Sequence, residues 1–529
     1  MQAPLLRLGG GPSIYDVVRS HVTLHGELDD PLLELPDEPP AAPGDARWSP
    51  GAIDGVMIHH TSCCASPTTA LVPWATHLAC AAASCPSEQN LRALHGELAR
   101  VSPLGYVDDL LTAVCDAEPS GEGLHAVARW LVTASANRRV VKVGIALLGM
   151  LGFADDDADV VWTLALHEEF TLFAAIALAR NDDRPDETVW QLAQRLHGWG
   201  RIHCVEQLAT TTDDRIKDWI LREGYRNTVM VDYLAWTAAT AGRLTAVLRE
   251  SPDRGQLTAA GEILTALLRE GPARDVGAYD DGEEAVSLFL EHLMGEPGTL
   301  DDFAAVEAIC DFVQDDGAWA TDAREGWSPA RTRFVAELCT EILHRAHWPE
   351  LVAEGLRSAD RHQFALADSA AASLGIDTFD VHLARIHADP LGCGWMRAWA
   401  QADGERAERL AALAREVLPL DVIASGPRDE HGDGLAYAAH RTLGLTLQAL
   451  GDHPGVGADL ILAGLHSPVT RNRFVALTAL AAWPREAWPP AAAAVLEVMA
   501  AADPHPRHRP RARLLLDGRR DGSEQSRHA

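Results

Sequence analysis

From about residue 68 onward, apolar residues recur at intervals of three and four, interrupted every 12 to 18 residues by Gly, Pro, Asp or Ser. That spacing lines apolar side chains along one face of an α-helix, and the interruptions supply caps and turns. A chain written this way folds as helix after helix. Within residues 138–151, Val140, Val143, Ile145, Leu147, Leu148 and Leu151 spread over a wide face, as expected of a helix contacted on several sides. Residues 256–270 instead carry one stripe through Leu257, Ile263, Leu264, Leu267 and Leu268, which predicts an outer helix.

The 529 residues are too many for one ordinary domain, and a hydrophobic content of 47% against 23% charged residues supports large cores. Mean hydropathy is −0.07. The sequence shows no apolar run of membrane-spanning length and no secretory leader, so neither a membrane nor an exported location is expected. Nine cysteines, odd in number and irregularly spaced, fit reduced thiols in the cytoplasm. The balance of 45 basic against 76 acidic residues, −31, repels phosphate backbones. Nucleic acid is not an expected partner, whereas protein is.

Three regions are predicted. Residues 1–67 form an N-terminal segment whose Pro-rich linker carries Pro31, Pro36, Pro39, Pro40, Pro43 and Pro50. Residues 14–24 have a short helical pattern, and residues 53–60 read as a brief strand or the lead-in to a helix. Residues 68–502 are the helical domain. Residues 503–529 hold seven arginines against four acids and read as a basic, disordered arm, within which the apolar run Leu514, Leu515 and Leu516 is the candidate to close the last helix.

Residues 138–151, 168–180, 362–374 and 471–483 share a wording, an arginine, histidine or acid followed by an apolar, alanine-rich run; the first two are offset by 30 residues. Over residues 90–500 this resembles a degenerate HEAT-like array, with units of about 30 to 45 residues. The resemblance implies an all-α, irregular HEAT-like α-solenoid of stacked helix pairs, which binds partners over a long concave surface. Insertions at 271–284 and 315–329 break the period, and an irregular helical bundle is the alternative.

Chemistry-bearing residues are sparse. His60, Cys63 and Cys64, beside His59 and ahead of Cys80 and Cys85, are zinc-type donors, and on a helix His60 and Cys64 would share a face. Adjacent donors diverge in direction, so buried thiols without metal are the expectation. The acidic turn Asp155, Asp156, Asp157 and Asp159 lacks the ligand spacing of a calcium loop and suits a helix start. No phosphate-binding loop, dinucleotide fingerprint, nucleophile elbow or HExxH is present, and no cofactor is expected.

The densest stretch is 196–237, which includes Trp199, Arg201, His203, Glu206, Arg226 and Asn227. On a helix after Gly200, His203 and Glu206 share a face, as a general acid–base pair would. The other reading is a packed junction: Trp199, Ile202, Val205, Trp219 and Leu221 buried, His203 bonding a neighbouring helix, and Asn227 capping a helix from Thr228.

Together with residues 13–18 and 51–56, this stretch resembles a family of bacterial proteins labelled limonene hydroxylase. That resemblance implies an all-helical fold and the activity of a monoterpene monooxygenase. Such chemistry needs haem, flavin, copper or iron, for which the sequence holds no recognisable motif. The reading favoured by the residues is a non-catalytic protein-interaction or scaffold module, with the monooxygenase as the alternative.

Overall fold

The computed structural model describes residues 11–39, 47–60 and 71–518. Cys63 and Cys64 lie outside them. Packing divides the chain into two compact units, residues 11–39 with 48–348, and residues 349–518. The division falls inside the stretch that the pattern groups as one domain. The described residues are all-α: helices and turns with two isolated bridges and no β-strand. None of their helices is long and apolar enough to cross a membrane.

The first unit opens with α1 (Ile14–Ser20), α2 (Ala52–His60), α3 (Leu71–Ser84), α4 (Glu88–Leu98), α5 (Val107–Asp116) and α6 (Gly121–Ala134). It continues with α7 (Arg138–Leu151), α8 (Asp157–Ala165), α9 (Glu168–Arg180), α10 (Pro185–Ala193), α11 (Trp199–Gln207), α12 (Asp214–Trp219) and α13 (Asp232–Ala241). Then come α14 (Leu244–Arg249), α15 (Arg254–Leu267), α16 (Gly282–Met294), α17 (Leu300–Gln314), α18 (Ala318–Ala323) and α19 (Pro329–Leu343). Side-chain caps mark many starts: Asn137 accepts from the amides of Arg139 and Val140, while Asp253 with Gln256 and Thr299 with Asp302 close reciprocal capping boxes.

Alternate helices of this unit neighbour one another in order. α7 packs on α9, α9 on α11, α11 on α13, α13 on α15, α15 on α17 and α17 on α19, with α6, α8 and α10 packed against α7, α9 and α11. A Cβ at Gly149 would stand 2.6 Å from the Ala177 methyl, so glycine is what lets α7 and α9 approach. The wide face of α7 is buried from Val140 to Leu148 apart from Ala146, as its composition predicts. α15 departs from expectation. It lies between α13 and α17, with Ala259, Ala260 and Ala266 buried alongside the leucine stripe, so it is not an outer helix. Alanine carries too little apolar signal to reveal the second contact.

The N-terminal segment is packed down. Leu33 and Leu35 are buried, and the carbonyl of Leu33 lies 3.0 Å from Nε2 of buried His167. Asp37 accepts from the Arg138 amide at 2.9 Å and from its Nε at 3.0 Å. Residues 53–60 resolve as helix rather than strand.

After α20 (Trp348–Gly355), the second unit contains α21 (Arg361–Ser373), α22 (Phe379–Ala388), α23 (Gly394–Ala400), α24 (Gly404–Val417) and α25 (Leu420–Ile423). α26 (Ala438–Leu450), α27 (Ala458–Leu465), α28 (Thr470–Ala482), α29 (Ala492–Ala502) and α30 (His508–Leu516) complete it. Trp395, Trp399, Leu443, Leu447, Ile461, Leu477 and Leu496 share its core. Residues 503–518, part of the stretch expected to be a disordered arm, are folded here: α30 packs on α28 and α29 and buries Ala512 and Leu515.

What anchors that end is ionic. Arg473, fully buried, donates Nε and Nη2 to Asp503 at 2.9 and 3.1 Å and Nη1 to the carbonyls of Arg428, Ser467 and Pro468. Burial opposes ionisation of Asp503, yet His508 and Arg473 beside it hold its carboxyl at about 2. A depressed carboxylate stabilises the fold above its unfolded value near 3.9, and the contribution is lost as pH falls toward the folded value. Between pH 5 and pH 2 the second unit should therefore lose roughly 2 kcal/mol through this group. Urea unfolding at both pH values should show the loss in the native chain and a smaller one in Asp503→Asn.

Candidate functional site

Lys142 is one of two lysines in the chain and lies in the apolar body of α7, 3% exposed. A buried ammonium persists only when paired. Its Nζ stands 2.6 Å from Asp54 Oδ2 on α2 and 2.6 Å from Glu169 Oε1 on α9. The second oxygen of Glu169 accepts the Gly51 amide at 3.2 Å and faces Arg138 Nη1 at 3.6 Å. Burial alone would raise the Glu169 carboxyl, but Lys142 and then Arg138 outweigh it and hold the group below the ordinary range. Arg138 also pairs with Asp37 and Glu38, so one ionic cluster fastens both the 33–38 segment and α2 to α7 and α9.

The start of α11 is set by a carboxylate on the preceding alternate helix. Glu168 Oε1 accepts the amides of His197 and Gly198 at 3.0 and 2.7 Å, and Oε2 accepts that of Gly200 at 3.2 Å. These are orphan donors of a helix N-terminus, where negative charge is favoured. Trp199 is thereby presented to α2 at Gly55, where a Cβ would stand 2.1 Å from the indole Cε3. Only glycine fits there.

Around that contact gather the imidazoles. The His59 ring lies 5.7 Å from Trp199 and 4.8 Å from Tyr233 of α13, centroid to centroid. Its Nε2 is 3.4 Å from Glu206 Oε1, and His203 Nδ1 is 3.8 Å from Glu206 Oε2. His60 Nε2 and the Tyr233 hydroxyl are 2.6 Å apart. Burial pushes His59 down, more than Glu206 raises it, and burial pushes Tyr233 up. The His59 imidazole is thus held toward its neutral form, suited to packing between rings.

The sequence places His203 and Glu206 on one face of α11, and the structure brings that face against α2 and α13. His203 does not bond a neighbouring helix: its buried Nε2 has no partner among the described residues. Trp199, Ile202, Val205 and Leu221 are buried as a junction requires, whereas Trp219 is half-buried. Asn227 is not a helix cap. Its Oδ1 accepts the amides of Val229 and Met230 in a turn, and α13 begins only at Asp232. Arg201 and Arg226 lie away from the imidazoles, Arg201 donating to the carbonyls of Ala193 and Arg226, and Arg226 clasping Glu262 of α15 with Nε and Nη2, both at 2.9 Å.

Asp54, Lys142, Glu169 and Tyr233 escaped the sequence reading. The signal for Lys142 is a lone charge flanked by Val141 and Val143 in a helix otherwise apolar on several sides, but its two partners lie 88 and 27 residues away. Among the described residues no group of three or more His, Cys, Asp or Glu side chains is placed to hold a metal ion. No protein-family model, curated protein or solved structure matches this chain.

Proposed function

We propose that the chain is a non-catalytic, HEAT-like interaction module whose α7–α9–α11–α13 face receives a helix laid across it. The observation that carries this reading is α2, which touches α7, α11 and α13 through Asp54, Gly55, His59 and His60, while Gly51 just ahead of it donates its amide to Glu169 of α9. α2 is inverted for a core helix. It buries Asp54 and Gly55 and leaves Ile53, Met57 and Ile58 exposed, so recognition rests on a charge, a glycine fit and an imidazole rather than on apolar area. Packing of alternate helices in sequence supports the repeat reading.

A labelled peptide of residues 48–60 tests the acceptor role. The native chain should not bind it, because tethered α2 competes at high effective concentration. A full-length Gly55→Leu variant, whose own α2 is displaced from Trp199, should bind it, and an Asp54→Asn peptide should bind about tenfold more weakly or worse, as loss of a charged buried partner implies. Failure to bind the variant, with hydrogen exchange showing its α2 released, would remove the reading. Flavin, haem or a redox metal in the purified protein, seen by absorbance and elemental analysis, would favour the monoterpene monooxygenase instead.

A further inference from the structure

A second site lies in the same unit, lined from α2 by Ile58. Between α5, α7 and α9 runs a groove of about 210 Å³, walled by Val107, Met150, Phe173 and Ile176 and overhung by Ile58 of α2. Ile58 and Ile176 are 42% and 53% exposed, so the apolar wall faces solvent at its mouth. An apolar cavity of about 150 Å³ holds one benzene ring. The groove therefore suits one aromatic or branched aliphatic side chain and is too small for a long acyl chain.

Two charges line the same groove, the Asp108 carboxylate on α5 and the Arg180 guanidinium on α9. Neither side chain forms a hydrogen bond or ion pair with any described residue, and they do not pair with each other. Two charges of opposite sign at one apolar groove match a ligand that carries both an anionic and a cationic end beside an apolar body. We propose that the groove binds a free apolar α-amino acid, its carboxylate on the Arg180 fork, its ammonium on Asp108 and its side chain among Met150, Phe173 and Ile176. Arginine's planar donors match a carboxylate in two-point fashion, which fixes the orientation. Because Ile58 belongs to α2, an occupied groove also adds contacts that hold α2 in place.

Calorimetric titration of the full-length protein with L-phenylalanine and L-leucine tests the site, with 3-phenylpropionate and 2-phenylethylamine as single-charge analogues. Saturable binding of at least one amino acid is expected, with each analogue about fivefold weaker than phenylalanine or worse, the loss of one charged contact at a partly exposed site. Arg180→Gln and Asp108→Asn should each lower amino-acid affinity by a similar factor, and Ile176→Asp should abolish binding. All three positions are exposed, and circular dichroism should show unchanged helix content. Absence of binding by both amino acids overturns the proposal. So does an analogue that matches phenylalanine, or retention of full affinity by the Arg180 and Asp108 variants.

Discussion

Lys142→Met should destabilise the first unit by about 3–5 kcal/mol, the usual loss when one partner of a buried charged set is removed. Methionine fills most of the volume, so the loss would not come from a cavity. It would come from Asp54 and Glu169, which are both buried and would lose the ammonium 2.6 Å away. Glu169 keeps Arg138 at 3.6 Å, but Asp54 has no other cation within salt-bridge distance among the described residues. Adding Asp54→Leu should therefore restore much of the stability, because a buried ion pair exchanged for apolar residues of similar size is often neutral or better. Urea unfolding of the single and double variants measures both effects, and hydrogen exchange of α2 locates them. A single variant within about 1 kcal/mol of the native chain would mean that the cluster is solvated and does not hold α2.

Trp199→Ala should cost about 3–5 kcal/mol, the range for deleting a large aromatic from a packed site. Its indole is 3% exposed and is touched by α2, α11 and α13 side chains at once. The same geometry predicts a compensation. Gly55→Ala alone should cost about 1–3 kcal/mol by overpacking against the ring. In the Trp199→Ala background the added methyl enters vacated space, and its cost should vanish or change sign. A double-mutant cycle reads this coupling directly, and additive costs would show that Gly55 and Trp199 do not meet.

Much of the fold was legible from spacing alone. Three- and four-residue intervals identified helices such as 138–151 and 168–180, because a buried helical stripe must repeat with the helix turn. The 196–237 junction was also legible in outline, since Trp199, Ile202 and Val205 fall on buried positions of a short helix that starts at Gly198 and Gly200. The helix α2 was not. Its apolar residues Ile53, Met57 and Ile58 face outward and its charged Asp54 faces inward, so local pattern pointed away from its actual docking. Folding of residues 503–518 was legible only in the apolar run Leu514, Leu515 and Leu516, of which Leu515 is buried in α30. Seven arginines between 503 and 529 look like a solvated arm, yet the arginine that matters, Arg473, lies 30 residues upstream of its partner Asp503.

The amino-acid sequence by itself determined the all-helical class, the caps that start many of the helices and the buried stripe of helices such as α7, because those follow from backbone hydrogen bonding and periodicity within a few residues. Tertiary structure alone decided which helices became neighbours and which charges met. The Lys142, Asp54 and Glu169 side chains acquire their role only when α2, α7 and α9 converge, since a buried charge is tolerated with its partner 2.6 Å away and strongly destabilising when that partner is absent. The glycine at 55 likewise reads as a weak point in a helix until the indole of Trp199, 144 residues away, occupies the space where its side chain would be.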